Sequence, residues 1–396
     1  MNPGLEKLKP YPFERLRALT ASLDPANASP IALTIGEPQH ESPRIVIDAL
    51  HDALSGTNKY PATAGSDLLR QSIASWLIRR FKLATIDANK QILPVNGTRE
   101  ALFAIAQTLV TPGSPHRVIS PNPFYQIYEG AALLAGTSPR FIPADKTTRF
   151  LPDFSALTDA DWQQCELLYI CTPGNPSGAV IPEADLQTLI RLAQQHDFVI
   201  ASDECYSEIY PDEAHPPTGL LQAAAAMGNA DFKHCLVFHS LSKRSNLPGL
   251  RSGFVAGDAD IIGQFLRYRT YHGCAMPPHH QVASAAAWSD EEHVVANRAR
   301  YREKFDAVVP LLSAVLPVSQ PEAGFYLWPE TFIDDEQFAI ELVRRCNVAV
   351  LPGRYLGREA DGYNPASNHV RMALVAELDQ CVEAAERIAT SLKKGW

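Results

Sequence analysis

Short runs of apolar residues alternate with helical periods in the middle of the chain. The apolar runs predict buried strands, at residues 91–94, 117–120, 167–171, 198–202 and 236–239. Apolar residues spaced three and four apart predict helices between these strands, at residues 100–110, 124–134 and 183–195. Because strands alternate with helices, we expect a mainly parallel sheet with helices on both faces.

The pattern changes after about residue 288, where longer helical periods surround short apolar runs. Helices are predicted at residues 291–316, 335–345 and 377–393, and strands at 324–328, 348–351 and 369–374. The fold class is therefore predicted as α/β, with a large domain and a smaller α+β domain. We expect residues 48–287 to form the large domain, and residues 1–47 and 288–396 to form the small one.

Composition and charge narrow the classes of function. The chain has 396 residues, of which 46% are hydrophobic and 20% charged, as in folded globular proteins. A net charge of −9 without a block of basic residues argues against nucleic acid as a partner. Seven scattered cysteines lack metal-type spacing, and we find no export signal or membrane-length apolar run. These features predict a cytoplasmic protein without a metal site or a membrane partner.

One lysine follows a predicted strand directly, in Ser240-Leu-Ser-Lys243-Arg-Ser-Asn-Leu-Pro-Gly-Leu-Arg251-Ser-Gly. The segment has no helical or strand period, and Arg244 and Arg251 are close in sequence. Burial and neighbouring cations lower the proton affinity of an amine, which can then attack an aldehyde such as that of pyridoxal phosphate. The planar fork of Arg251 suits a phosphate. The alternative is a solvated surface lysine, the usual case in a loop.

Two further segments follow predicted strands. Asn-Gly97-Thr98-Arg99 opens a helix, and free amides there, beside a glycine, can bind an anion. The alternative is an ordinary cap formed by Thr98. Tyr125, in Pro-Asn-Pro-Phe-Tyr-Gln-Ile-Tyr128, can stack on a flat ring or belong to the core. Both segments leave two readings open when taken alone.

Three other segments carry polar residues beside apolar runs. Asp203, in Asp-Glu-Cys-Tyr206, can keep a pyridine nitrogen protonated if it faces one. Arg371 lies in an apolar strand, so it needs either a ligand carboxylate or an internal salt bridge. Asn175, in Thr-Pro-Gly-Asn-Pro-Ser-Gly, lies in a rigid loop whose pattern alone indicates only a turn.

These motifs, in this order from Gly36 to Arg371, resemble the class I/II pyridoxal-phosphate-dependent aminotransferases of fold type I. The resemblance implies catalytic roles for Lys243, Asp203 and Tyr206. It also implies a cofactor site built from Gly97, Thr98, Arg99, Tyr125, Asn175, Asp203, Tyr206, Ser240, Lys243 and Arg251. Gly36, Asn175 and Arg371 would bind the substrate, and Tyr60 would reach the neighbouring site of a homodimer.

Residues 243–254, with Ser252 after Arg251, also resemble a subgroup, the N-succinyldiaminopimelate aminotransferases of bacterial lysine synthesis. That resemblance implies amino transfer between glutamate/2-oxoglutarate and N-succinyl-2-amino-6-oxopimelate. Because this substrate has a distal carboxylate, a second cation is expected; the candidates are Arg79, Arg80, Arg244 and Arg354. Alternatives are an aminotransferase for aspartate, aromatic or many amino acids, and a carbon–sulfur β-lyase.

Overall fold

The computed structural model describes residues 2–113 and 117–396. Its strands in chain order are β1 (Ile31–Ala32), β2 (Ile92–Val95), β3 (Val118–Asn122), β4 (Pro139–Pro143), β5 (Leu167–Cys171), β6 (Val199–Asp203), β7 (Cys235–Ser240), β8 (Gly253–Gly257), β9 (Tyr326–Leu327), β10 (Val348–Ala349), β11 (Leu351–Pro352) and β12 (Val370–Ala373).

The α-helices in chain order are α1 (Pro12–Thr20), α2 (Arg44–Asp52), α3 (Asp67–Phe81), α4 (Thr98–Leu109), α5 (Gln126–Leu134), α6 (Asp159–Gln164), α7 (Glu183–His196), α8 (Leu220–Ala226), α9 (Leu241–Arg244), α10 (Ala259–His272), α11 (Pro278–Ser289), α12 (Glu292–Ser313), α13 (Asp335–Cys346) and α14 (Leu378–Lys393). No helix within the described residues is long and apolar enough to cross a membrane.

The central sheet has the strand order β2-β8-β7-β6-β5-β3-β4. Only β8 runs against its neighbours in this described sheet, so the prediction of a mainly parallel sheet is confirmed. The predicted strand 167–171 coincides with β5, and the other predicted strands of this sheet differ from the observed ones by one or two residues at an end. Strands β4 and β8 were not predicted. A side chain at Gly253 would meet the His239 carbonyl at 2.6 Å, so β8 begins at a glycine that the close approach requires.

Helices cover both faces of the sheet. Successive residues of its buried strands point to opposite faces, so the apolar side chains on each face need to be covered. In β6, Ile200 enters a core that contains Trp76 and Trp288. The next residue, Ala201, enters a second core with Tyr128 on the other face. Apolar side chains on both faces explain why these strands appear in the sequence as continuous apolar runs.

The smaller unit contains an antiparallel sheet, β11-β12-β9, and a parallel pair of β1 with β10. Helices α12, α13 and α14 enclose its core. The start of the chain divides its contacts. Helix α1 packs on α13 and β11, whereas Gly4 lies against the Leu133 carbonyl at the end of α5. The domain boundaries at residues 47 and 288 remain a prediction.

Candidate active site

A cavity of about 530 Å³ lies where the carboxyl ends of β3, β5, β6 and β7 face the smaller unit. Ligands of open α/β sheets bind at this edge, because the loops after parallel strands converge there. The sequence-predicted residues that line the cavity are Gly36, Thr98, Arg99, Tyr125, Asn175, Asp203, Tyr206, Ser240, Lys243, Arg251 and Arg371. The fold therefore brings together residues that are far apart in sequence.

Lys243 lies in the short helix α9, directly after β7. The sequence shows no helical period here because this helix has only four residues, and Ser240 caps it by accepting a hydrogen bond from Ser242 N at 3.1 Å. The Lys243 Nζ donates a hydrogen bond to the Gly36 carbonyl oxygen. Burial lowers the pKa of this amine to about 8, so a substantial fraction is neutral near physiological pH.

The cations that act on Lys243 are not the two that its sequence neighbourhood suggests. Arg371 and Arg99 lower the pKa of Lys243 further, in addition to burial. The Arg244 side chain instead lies fully buried near the Trp288 ring, where it donates to the Ala287 carbonyl at 2.8 Å. The expectation that Arg244 tunes this lysine was therefore wrong, because its side chain points into the core.

Donors suited to a phosphate surround Gly97. This glycine has φ 82° and precedes α4, and a Cβ on it would lie 2.3 Å from Arg251 Nη2. The left-handed φ favours glycine at this position, and the absence of a side chain leaves room for the guanidinium beside the helix N-terminus. Thr98 begins α4, and the Ser240 hydroxyl lies 2.9 Å from that of Ser242. Amides, hydroxyls and a guanidinium together fit the phosphate group of pyridoxal phosphate.

Asp203 is a buried carboxyl at the end of β6. Its Oδ2 accepts a hydrogen bond from the Tyr128 hydroxyl at 2.8 Å, and its Oδ1 accepts one from Cys205 N at 3.3 Å. Burial raises the pKa of Asp203, although these hydrogen bonds oppose the shift. No cation in the described part of the chain forms an ion pair with it. A buried carboxyl that lacks a cation fits the protonated ring nitrogen of the cofactor.

Two tyrosines hold further positions in the cavity. The Tyr125 hydroxyl accepts a hydrogen bond from Arg99 Nε at 2.6 Å. The Tyr206 hydroxyl lies 3.0 Å from that of Tyr326, and burial raises the pKa of Tyr206. Both tyrosines therefore remain neutral and can donate a hydrogen bond at physiological pH.

Arg371 projects from β12 into the cavity. Its Nη1 donates to Asn175 Oδ1 and its Nη2 to the Thr34 carbonyl, each at 2.9 Å, and the guanidinium lies 4.4 Å from the centre of the Tyr326 ring. Among the described residues, no carboxylate forms a salt bridge with Arg371. The internal salt bridge considered from the sequence is therefore not formed, and the guanidinium can bind a ligand carboxylate.

Tyr326, Tyr128, Cys205 and Ser242 contact the site but had no predicted role. Tyr128 is fully buried in α5. Its contact with Asp203 joins residues 75 positions apart, which a local pattern cannot indicate. Tyr326 lies in Gly-Phe-Tyr-Leu-Trp, which the apolar pattern predicts only as a strand.

Tyr60 lies outside this cavity and is fully exposed in the single chain. An exposed tyrosine in this position has room to contact a second chain, as the resemblance implies. Its role in a homodimer remains a prediction.

Comparisons with known proteins show the family of the chain. The sequence profile described as "Aminotransferase class I and II" matches residues 28–388. The LL-diaminopimelate aminotransferase of Maridesulfovibrio salexigens is 30% identical over 392 residues, which are 97% of each chain. An aminotransferase structure from Neisseria meningitidis has a TM-score of 0.94 and 47% identity, covering 98% of this chain and 99% of that one.

A second solved structure, the aminotransferase AspB of Helicobacter pylori, has a TM-score of 0.89 and 35% identity, with 98% of this chain and 99% of that one covered. The family profile spans most of the chain, and its range includes all the sequence-predicted residues that line the cavity. The chain therefore belongs to the class I and II aminotransferases, a family whose cofactor is pyridoxal phosphate.

Proposed function

We propose that this aminotransferase moves an amino group between glutamate/2-oxoglutarate and N-succinyl-2-amino-6-oxopimelate, in the synthesis of diaminopimelate and lysine. The observation that carries the proposal is a cavity with two guanidinium groups, Arg371 and Arg99, that form no salt bridge among the described residues. Such a cavity suits a substrate with a carboxylate at each end.

The roles of the site residues follow from their contacts. When bound, pyridoxal phosphate supplies an aldehyde and an electron sink. Asp203 keeps its ring nitrogen protonated, and Lys243 Nζ moves a proton from and to the substrate Cα. Arg371 binds the α-carboxylate. Because Asn175 Oδ1 accepts from Arg371, its Nδ2 remains available to donate to the phenolic oxygen, together with the Tyr206 hydroxyl.

We assign Arg99, which the family resemblance places at the cofactor, to the distal carboxylate of the substrate instead. Its Nε is engaged by the Tyr125 hydroxyl, and its guanidinium also lies 6.0 Å from the centre of the Tyr11 ring. The four arginines considered from the sequence do not line the described cavity. Each has a carboxylate partner instead, and the pairs are Arg79 with Glu291, Arg80 with Glu208, Arg244 with Glu291, and Arg354 with Asp335.

A second candidate substrate is the same keto acid without the succinyl group. It is favoured by the names of the relatives, which are LL-diaminopimelate aminotransferases at 28–30% identity. The two candidates share the carboxylates at both ends of the pimelate chain, and Arg371 would bind one of these. They differ in the additional succinyl carboxylate, so the choice depends on whether Arg99 contacts that group or the far end of the pimelate chain.

The test compares kcat/KM for N-succinyl-LL-diaminopimelate and LL-diaminopimelate, each with 2-oxoglutarate. Arg99 is an exposed residue, and a charge contact at an exposed site contributes about 0.2 to 1 kcal/mol, so the succinylated substrate should be preferred by a factor of roughly 1.5 to 5. Arg99→Met should remove most of this preference. Arg79→Met, a matched change outside the cavity, should leave it intact.

Preference for LL-diaminopimelate would select the second candidate and overturn the first. Better activity with aspartate or aromatic amino acids would overturn both while leaving the family unchanged. Release of pyruvate from cystathionine in place of glutamate formation would indicate a carbon–sulfur lyase.

A further inference from the structure

Three buried polar side chains touch in a row behind the Lys243 segment. Lys304, His40 and Asn297 are 1%, 5% and 4% exposed. Lys304 Nζ lies 2.6 Å from His40 Nε2, and His40 Nδ1 lies 2.9 Å from Asn297 Oδ1. Asn297 Nδ2 in turn lies 3.3 Å from the carbonyl oxygens of both Lys243 and Arg244. The row therefore runs from a buried amine to the backbone of the proposed reactive lysine.

The chemistry of these groups fixes the direction of every hydrogen bond. Carbonyl oxygens only accept, so Asn297 must donate from Nδ2 and accept at Oδ1. His40 must then donate from Nδ1, which leaves Nε2 of the neutral ring as an acceptor. Lys304 donates to that nitrogen. Between members of the row, each donor points toward the Lys243 segment, and no member can be reversed alone.

Burying the Lys304 amine at this position costs free energy. No carboxylate among the described residues forms a salt bridge with it, and its other hydrogen-bond acceptor is the Val375 carbonyl at 3.4 Å. Burial lowers the pKa of both Lys304 and His40. The charged and titratable groups that face the pair are Arg300, Glu377, Cys381 and Tyr301. A buried amine without an ion-pair partner destabilises the fold. The presence of Lys304 at this position is therefore not explained by stability.

The row joins the three segments that carry the cavity's key groups. His40 lies four residues after Gly36, whose carbonyl accepts the hydrogen bond from Lys243 Nζ. Asn297 binds carbonyls of α9, a helix of four residues whose last carbonyls have no partner inside the helix. Val375 follows β12, the strand of Arg371.

We propose that Lys304, His40 and Asn297 are positioning residues that hold the Lys243 amine against the Gly36 carbonyl, away from water. The proposal rests on the proposed role of Lys243 as the reactive lysine. Losing the row lets α9 and the Gly36 turn shift relative to each other. A shift of about 1 Å at a reacting group can lower the rate by a factor of roughly 100.

A pair of variants at one position separates positioning from simple burial. His40→Gln keeps one donor and one acceptor, whereas His40→Leu removes both at similar volume. Lys304→Met removes the donor at the start of the row. The first measurement is the rate of acetylation of Lys243 against pH in the cofactor-free protein, with peptide mapping to identify the modified lysine. We expect the amine pKa to rise from about 8 toward its ordinary value of 10.5 in His40→Leu and Lys304→Met. His40→Gln should stay near the wild type.

The second measurement is kcat and KM of the loaded enzyme. We expect kcat to fall roughly 10- to 100-fold in the Leu and Met variants with a smaller change in KM. Thermal melting reports whether each variant folds. If His40→Leu does not fold, Asn297→Asp tests the same contact, because it places an acceptor against two carbonyls without a change of size.

Folded variants with an unchanged Lys243 pKa and an unchanged kcat would overturn the proposal. Equal shifts in His40→Gln and His40→Leu would also overturn it, since hydrogen-bond direction would then be irrelevant. A wrong assignment of Lys243 as the reactive lysine gives a different result from a wrong positioning role. In that case borohydride would label a lysine other than Lys243 in the wild-type enzyme.

Discussion

Arg371 Nη1 donates to Asn175 Oδ1 over 2.9 Å, which joins a strand of the smaller unit to the loop after β5. One contact thereby fixes both the guanidinium that would bind the substrate and the amide that would bind the cofactor. A substitution at Arg371 should therefore disturb both.

Arg371→Lys keeps the charge but loses the planar fork that binds a carboxylate and Asn175 together. A change of about 2 to 5 kcal/mol corresponds to a fall of roughly 30- to 4,000-fold in kcat/KM for every amino acid substrate. Steady-state kinetics with glutamate measure the effect, and Arg345→Lys, at an exposed position of α13, is the matched control. An unchanged KM for glutamate would place the α-carboxylate elsewhere.

The hydrogen bond from Tyr128 to Asp203 predicts how strongly variants of these two residues weaken cofactor binding. Asp203→Asn removes the charge that would pair with the ring nitrogen, so cofactor binding and the chemical rate should both fall by orders of magnitude. Tyr128→Phe removes one hydrogen bond to that carboxylate, worth about 1.5 to 3 kcal/mol. Its cofactor Kd should lie between those of the wild type and Asp203→Asn. Equal Kd values in the three proteins would mean that Asp203 does not contact the cofactor.

The pKa of Lys243 makes stability depend on pH. It is about 8 in the folded chain and 10.5 ordinarily, so the unfolded chain binds more protons between these values. The free energy of unfolding of the cofactor-free protein should therefore rise with pH across that window. Below pH 8 the buried ammonium destabilises the fold by up to about 3 kcal/mol. Lys243→Met should be more stable than the wild type at pH 7 and lose this advantage by pH 10.5.

Urea unfolding of the cofactor-free proteins at several pH values measures that difference. All other titrating groups are common to both chains, so the comparison isolates Lys243. Lys90→Met, on the surface, should match the wild type throughout. A Lys243→Met protein that is less stable than the wild type at pH 7 would contradict the shifted pKa.

The fold was largely predictable from the sequence where apolar runs are long and continuous. Strand β5 follows directly from Leu-Leu-Tyr-Ile-Cys, because buried parallel strands need apolar side chains on both faces. Strand β8 begins and ends with glycine, and that composition weakens the strand signal. Helix α9 has only four residues, too few for a helical period, and its cap at Ser240 stabilises it.

The residues that line the cavity were largely predictable, but their contacts were not. Strand ends and family motifs indicated Lys243, Asp203 and Arg371, which the fold brings to one cavity. The direction of the Arg244 side chain depends on Trp288 and Glu291, which lie in other helices or loops and only the folded chain brings close. Contacts of this kind depend on how distant segments pack, so local sequence patterns do not predict them.

Tyr60 provides a test of the predicted homodimer. Hybrid dimers of one Lys243→Ala chain and one Tyr60→Ala chain contain one site with both defects if Tyr60 acts in the neighbouring site. The other site is then native. We expect such hybrids to regain about half of the wild-type activity per dimer, above either parent, by the symmetry of a two-site dimer. Hybrids no more active than the Tyr60→Ala parent would place Tyr60 in its own chain's site, and a monomer in sedimentation would refute the dimer.

The most direct test of the proposed site is to identify which lysine forms the covalent bond with the cofactor. The protein loaded with pyridoxal phosphate is reduced with borohydride, digested and mapped, with Lys243→Ala as the control. We expect the label on the peptide that contains Lys243, because this buried amine lies in the cavity with a pKa lowered to about 8. The Lys243→Ala protein should fold, remain unlabelled and show no amino transfer. Label on a different lysine, with Lys243 unmodified, would contradict the assignment of the site.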